Sequence, residues 1–133
     1  MNDCLHPEFT PQQVNAMSAL ALAHIGDAVF ELLVRTQLCT AGFTRNGNLH
    51  RETVERVCAP AQAALADKLL PLLTPDELAF YRRGRNAHVH GIPKNATHTQ
   101  YAKATGLEAL FGALYLRGDI ARVEALFAAA TEE

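Results

Sequence analysis

Residues 18 to 39, SALALAHIGDAVFELLVRTQLC, constrain the fold more than any other stretch of the chain. They contain no proline, and apolar side chains recur at helical spacing, so one long helix is predicted. Leu22, Ile25, Val29, Leu32 and Leu33 line one face. The opposite side carries Leu20, Ala23, His24, Asp27, Phe30, Glu31 and Val34, and it too is mostly apolar. A helix of this kind is expected to be buried on both sides. A carboxylate at Asp27 is then costly unless it is paired or bound to a metal ion. Gly26 stands beside it, and glycine inside a helix costs about 0.5–1 kcal/mol relative to alanine. Close approach of another backbone or of a ligand explains its presence.

A second helix, from about Thr99 to Leu116, repeats the arrangement. Leu107, Leu110 and Leu114 form its core face, and Tyr101, Thr105, Glu108, Gly112 and Tyr115 form a second stripe. Again a single acid sits on a mostly uncharged face, here between Gly106 and Gly112. Two such helices crossing closely would bring Asp27 and Glu108 together. Carboxylates from separate helices suit a hard divalent cation such as Mg2+, which prefers oxygen ligands and keeps several waters. Structural ion pairs are the alternative. Asp27 has no basic residue one turn away on its own helix, and Glu108 reaches Lys103 or Arg117 only poorly. Glu31 differs, because Arg35 follows one turn later in the favourable acid-first order.

The rest of the chain also reads as helix. Alanine and leucine dominate and β-branched residues are sparse, which favours an all-α fold. Thr10, Pro11 and Gln13 form one helix start, and Thr74, Pro75 and Glu77 another. Asn48 is expected to cap a helix through LHRETVERVC, and Pro60 to break the pattern that follows. NAHVHGIPKNAT is the one extended loop, and Gly118–Asp119 precedes a last amphipathic helix. No internal repeat or linker divides the 133 residues, so a single domain spanning 1–133 is expected. Cys4, Cys39 and Cys58 show no metal-ligand spacing and are expected as small buried residues in a reducing, cytoplasmic compartment. The N-terminus lacks the pattern of a signal peptide, and no apolar run is long enough to span a bilayer.

Net charge is −2, so the whole chain carries no basic signature. Its distribution is uneven. Leu78 to Leu107 contains no Asp or Glu, yet holds Arg82, Arg83, Arg85, Lys94 and Lys103, with His88, His90 and His98. Three arginines at a helix end also suit the macrodipole, which is a purely structural explanation. Lys94 and Asn95 in the following loop tilt the reading towards phosphate contacts. The histidines lack zinc-ligand spacing.

Two blocks carry a family resemblance. LALAHIGDAVFELLVR resembles the signature helix of the ribonuclease III catalytic domain. RRGRNAHVHGIPKNATHTQYAKATGLEALFGALYL is similar to its second metal-binding helix with the basic loop before it. The wording GDAV, RGRNA, PKNA and TGLEAL, and the intervening NLHRETVERVCAPAQAALADKLL, look most like the short bacterial Mini-ribonuclease III branch, which lacks a double-stranded-RNA-binding domain.

The resemblance implies a ribonuclease III-like helical bundle and a Mg2+-dependent endoribonuclease, with Mn2+ as a substitute. It would cut double-stranded RNA as a homodimer, leaving 5′-phosphates and short 3′ overhangs. Its implied substrate is precursor large-subunit ribosomal RNA, with a ribosomal protein as a helper. Asp27 and Glu108 fall on the catalytic, metal-binding acids. Arg82, Arg83, Arg85, Asn86, His88, Lys94 and Asn95 fall in the RNA-gripping region. The chain departs from larger family members where Leu20, Ala23 and Thr105 replace acids. The short branch tends to share those losses, which leave the number of metal ions open. His24 stands where the branch usually has tyrosine, and His88 where it usually has lysine. Two rivals stand beside this reading. One is a non-catalytic RNA-binding module for ribosome assembly on the same fold, and the other is a helical nucleotide pyrophosphohydrolase. The second needs an acid cluster that the central helices do not offer beyond Asp27 and Glu31.

Overall fold

A computed structural model describes residues 3–43, 45–87, 91 and 94–132. Seven α-helices and no strand occur among the described residues. Helix α1 spans Pro11–Ala16 and α2 spans Ala19–Thr40. Helix α3 covers Asn46–Val57, α4 Ala59–Leu69 and α5 Pro75–Arg85. Helix α6 runs His98–Leu116 and α7 runs Ile120–Thr131. No helix is long and apolar enough to cross a membrane.

Capping chemistry fixes most of these boundaries. Thr10 Oγ1 accepts from the Gln13 N–H at 3.1 Å, while Gln13 Oε1 accepts from the Thr10 N–H at 2.8 Å. Thr74 and Glu77 make the same reciprocal pair at the start of α5. Thr97 and Gln100 make a third at the start of α6, one residue ahead of the expected Thr99. Each pair satisfies two backbone donors that a helix end leaves free.

Two starts differ from expectation. Helix α3 begins at Asn46, and its N-cap, Arg45, makes no side-chain bond. The earlier start lets the Leu49 N–H reach the Arg45 carbonyl at 2.9 Å, while Leu49 packs on the core. Asn48 is therefore inside the helix, and its Oδ1 accepts from the Arg51 guanidinium one turn later. The break expected at Pro60 falls at Cys58, which is extended at φ −64° and ψ 156°. Pro60 has no N–H to offer the Arg56 carbonyl, so α3 cannot run through it. In the first turn of a new helix that missing donor costs nothing.

The helix enclosed on all sides is α6, not α2. From Ala104 to Leu116 only Glu108 and Tyr115 retain appreciable exposure. Ala104, Gly106, Ala109, Gly112 and Ala113 make α6 thin, so α2, α4, α5 and α7 all close upon it. Helix α2 buries one stripe, namely Leu22, Ala23, Gly26, Phe30, Val34 and Leu38. Much of the rest of α2 is open: Leu32 is 61% exposed and Leu20 45%, and His24, Asp27 and Ala28 are exposed. The expectation of an α2 buried on both sides is thus corrected. Alternating apolar positions reveal burial only where a neighbouring element is available to supply the cover.

Phe30 anchors the core between α6 and α7. It meets the ring of Phe111 at 5.9 Å and that of Phe127 at 5.8 Å, both edge to face. Such pairs add about 0.5–1.5 kcal/mol beyond the area they bury. The cysteines also depart from expectation. Cys4 and Cys39 are exposed and Cys58 is half-buried, and all three are free thiols. Cys39 faces away from the stripe that places Leu38 in the core.

Candidate active site

Helices α2 and α6 cross in direct backbone contact. A Cβ added at Gly26 would sit 1.6 Å from the Glu108 carbonyl oxygen and 2.9 Å from the Gly112 nitrogen. One added at Gly112 would sit 2.0 Å from the Leu22 carbonyl oxygen. Only glycine permits this approach at either position. Gly106, which lies close to Glu108 in sequence, serves a different contact. With Gly84 it lets α5 close on α6, where an added Cβ would meet Tyr81 and Thr105 backbone oxygens at 2.8 and 2.7 Å respectively.

The crossing sets Asp27, next to Gly26, beside Glu108, one turn before Gly112. The two carboxyl groups lie within hydrogen-bonding reach of each other. Asp27 is exposed and Glu108 is largely buried. Burial, then the Asp27 charge, then the hydrogen bond shared with Asp27 push the Glu108 carboxyl up to about 8, against a smaller opposing pull from Gln62. Among the described residues neither acid takes part in an ion pair. Glu31 does, meeting Arg35 at 3.0 Å as its spacing suggested.

A pair of adjacent carboxylates without a cationic side chain is an incomplete arrangement. Gln62 of α4 adds to it. This residue is 3% exposed, and its Oε1 has no hydrogen-bond partner. The two carboxylates are oxygen donors of the type that hard divalent cations take, and the Gln62 carbonyl oxygen beside them is an unused acceptor. No group of three or more His, Cys, Asp or Glu side chains gathers anywhere among the described residues. Leu20 is exposed, Ala23 is buried, and the Thr105 hydroxyl donates to its own helix at Tyr101 O, 3.0 Å away. A cation here would therefore complete its shell with water. Residues present and cation chemistry fit each other.

The basic region is divided by its contacts. Arg82, Arg85, Asn86, Lys94 and Asn95 are exposed. Arg83 is half-buried, with its guanidinium donating to Met17 O at 2.5 Å and lying 5.8 Å over the Phe80 ring. Arg85 lies 5.9 Å over the Tyr81 ring and donates to Asn86 Oδ1 at 3.3 Å. Lys103 is held by Asp67 at 2.8 Å. His88 lies outside the described residues. Gln62 was not singled out from the sequence. Its one signal is positional: in APAQAALADKL it shares the buried stripe with Ala63, Ala66 and Leu69, an amide where an apolar side chain would serve.

Comparison with known proteins shows the family. The Ribonuclease III domain family matches residues 20–119. A Mini-ribonuclease 3 of Symbiobacterium thermophilum is 46% identical over 113 residues, which cover 85% of this chain and 87% of the relative. Those of Enterococcus faecalis and Synechocystis are 43% and 44% identical, covering 83% and 93% of this chain and 85% and 84% of the relatives. A crystal structure of a Fusobacterium nucleatum protein superposes with a TM-score of 0.80 at 27% identity, covering 87% of this chain and 94% of that one. The chain belongs to the ribonuclease III family, in its Mini-ribonuclease 3 branch, and is an endoribonuclease.

Proposed function

We propose that this endoribonuclease hydrolyses double-stranded RNA with Mg2+ held by Asp27 and Glu108, residues 1–133 working as one catalytic domain. The observation that carries the reading is the adjacency of those two carboxyl groups at the Gly26–Gly112 crossing, neither of them in an ion pair among the described residues. A bound Mg2+ supplies Lewis acidity at the phosphoryl oxygen and a water acidified for attack. Asp27 and Glu108 hold the ion against the RNA strand. As ligands of such an ion, Asp27 and Glu108 would both be carboxylates, because metal ligands bind in their deprotonated form. Mn2+ fits the same oxygen ligands.

Arg82, Arg85 and Lys94 are assigned to the RNA phosphates, with Asn86 and Asn95 beside them. These contacts position a duplex without reading its sequence. Arg83 is assigned chiefly to holding the Met17 turn against α5. Cutting both strands calls for two sites related by a twofold axis. Leu20 and Leu32 expose apolar surface on α2, which suits an isologous homodimer contact. Precursor large-subunit ribosomal RNA in the cytoplasm is the proposed substrate, with a ribosomal protein as helper.

The test is purified protein with a duplex RNA and Mg2+. Cleavage that leaves 5′-phosphates is expected from the wild type. Asp27→Asn should lose about 1,000-fold or more, equivalent to about 4 kcal/mol of transition-state stabilisation. Undiminished cutting by that variant would overturn the reading. Sedimentation should give a dimer, and Leu32→Lys should shift it to monomer.

A further inference from the structure

Gln62 is buried in α4 beside Glu108 and is absent from the assignments above. Its amide nitrogen donates to Val57 O at 2.8 Å. Helix α4 packs on α6, and this packing sets the Gln62 side chain beside the Glu108 carboxyl. Its Oε1 is the one buried side-chain polar atom among the described residues left without a partner. An unpaired buried acceptor costs about 1–3 kcal/mol. Leucine or methionine would fill this place in the stripe of Ala63, Ala66 and Leu69 without that cost. Turning the amide over gives no relief, because it would set Oε1 against the Val57 carbonyl, another acceptor. The nitrogen side is thus fixed by Val57, and the oxygen is left over by construction.

We propose that Gln62 is a positioning residue of the cation site: its amide N–H orients Glu108, and its carbonyl oxygen accepts a hydrogen from a water carried by the bound divalent cation. The inference rests on the Asp27–Glu108 site proposed above. Mg2+ held by only one or two carboxylates retains several waters, and each brings two O–H donors that need acceptors. Leu20 and Ala23 offer no acceptor, and the Thr105 hydroxyl is turned towards its own helix. Gln62 Oε1 is a buried acceptor with unused capacity at this place. Outer contacts of this kind change metal affinity about 10- to 100-fold when removed.

The inference is tested by calorimetry of Mg2+ and Mn2+ binding to the RNA-free protein. Gln62→Met, which keeps length and volume but has no amide, should raise the Kd of both ions about 10- to 100-fold. Its near-ultraviolet dichroism and RNA affinity without metal should stay those of the wild type. Asp27→Asn is the control. If Asp27→Asn binds the ions like the wild type, the site itself is wrong. If Asp27→Asn abolishes binding while folded Gln62→Met keeps the wild-type Kd, the site stands and the role of Gln62 falls. Should Gln62→Met not fold, the wild type decides by nitrogen-15 NMR. The Gln62 side-chain amide signals should move with Mg2+ at the same midpoint as the main-chain signals of Asp27. Side-chain signals unmoved at saturation overturn the inference.

Discussion

Glu77 and Glu108 are both glutamates withdrawn from water on helices that touch, yet their surroundings treat them oppositely. Glu77 of α5 is 3% exposed and is gripped by Arg122 of α7, whose Nε and Nη2 donate at 2.7 and 2.9 Å. It also caps its own helix through Thr74. Burial alone would raise its carboxyl, but the bonds from Arg122 and Thr74 outweigh burial and hold it below the usual carboxylate range. Glu108 has a second acid where Glu77 has a guanidinium, and it is raised to about 8. A carboxylate completed by the chain belongs to the fold. One left incomplete costs the fold energy, a cost that the cation of the proposed site would remove.

Four substitutions break or sharpen that contrast. The largest effect belongs to the backbone contact that creates the unfinished pair. Gly26→Ala puts a methyl 1.6 Å from the Glu108 carbonyl oxygen, so α2 and α6 must separate. A loss of more than about 4 kcal/mol is expected, read as failure to refold or a collapsed urea midpoint. Native-like stability would mean that the crossing has room for a methyl group.

Arg122→Ala comes next. It strands a buried carboxylate, and about 3 kcal/mol should be lost at neutral pH. Cleavage per folded molecule should be unchanged, since neither partner approaches the site. The pH dependence has a definite sign. Because Glu77 is depressed in the folded state, its stabilisation is present above the unfolded carboxylate range and lost as pH falls through the lower folded value. Arg122→Ala should flatten that acid limb in urea titrations at pH 3 to 5.

Glu108→Gln should act in the opposite direction. Between about pH 4.5 and 8 the folded, metal-free protein keeps a proton that the unfolded chain has released. Stability therefore falls as pH rises through this window. The variant removes that penalty, and should gain about 2 kcal/mol over the wild type at pH 9 without metal, and nothing at pH 4. Cleavage should be lost at the same time. Equal stability curves for the two proteins would place Glu108 in a solvated setting. The smallest effect is expected at Asp67→Asn, which breaks an exposed pair with Lys103. Its urea midpoint should match the wild type within error, because exposed pairs add little.

The sequence revealed most where a local rule acts alone. Thr10 and Thr74 marked helix starts because their reciprocal bonds involve residues three apart. Gly26 and Gly112 pointed to a close crossing because glycine is costly in a helix unless a neighbour needs the room. What could not be read is set by neighbours. Leu32 and Leu20 look like core residues in the α2 pattern, and only the arrangement of the other helices leaves them outside. The small residues of α6 gave no amphipathic stripe, yet they are the reason it sits at the centre. Asn48 resembled a cap, but Leu49 drew the helix start towards Arg45. Nothing in the sequence sets Gln62 apart from ordinary helix filler, because the burial of its unpaired carbonyl oxygen depends on the helices around it.

The contact between Gly26 and the Glu108 carbonyl makes the polypeptide backbone a ruler. With the helices held at this contact, the span between the two acids is set by the lengths and rotamers of their side chains. Asp27 is the short arm and Glu108 the long one. In the proposed site, altering which ion is preferred would then mean lengthening an arm, as in Asp27→Glu.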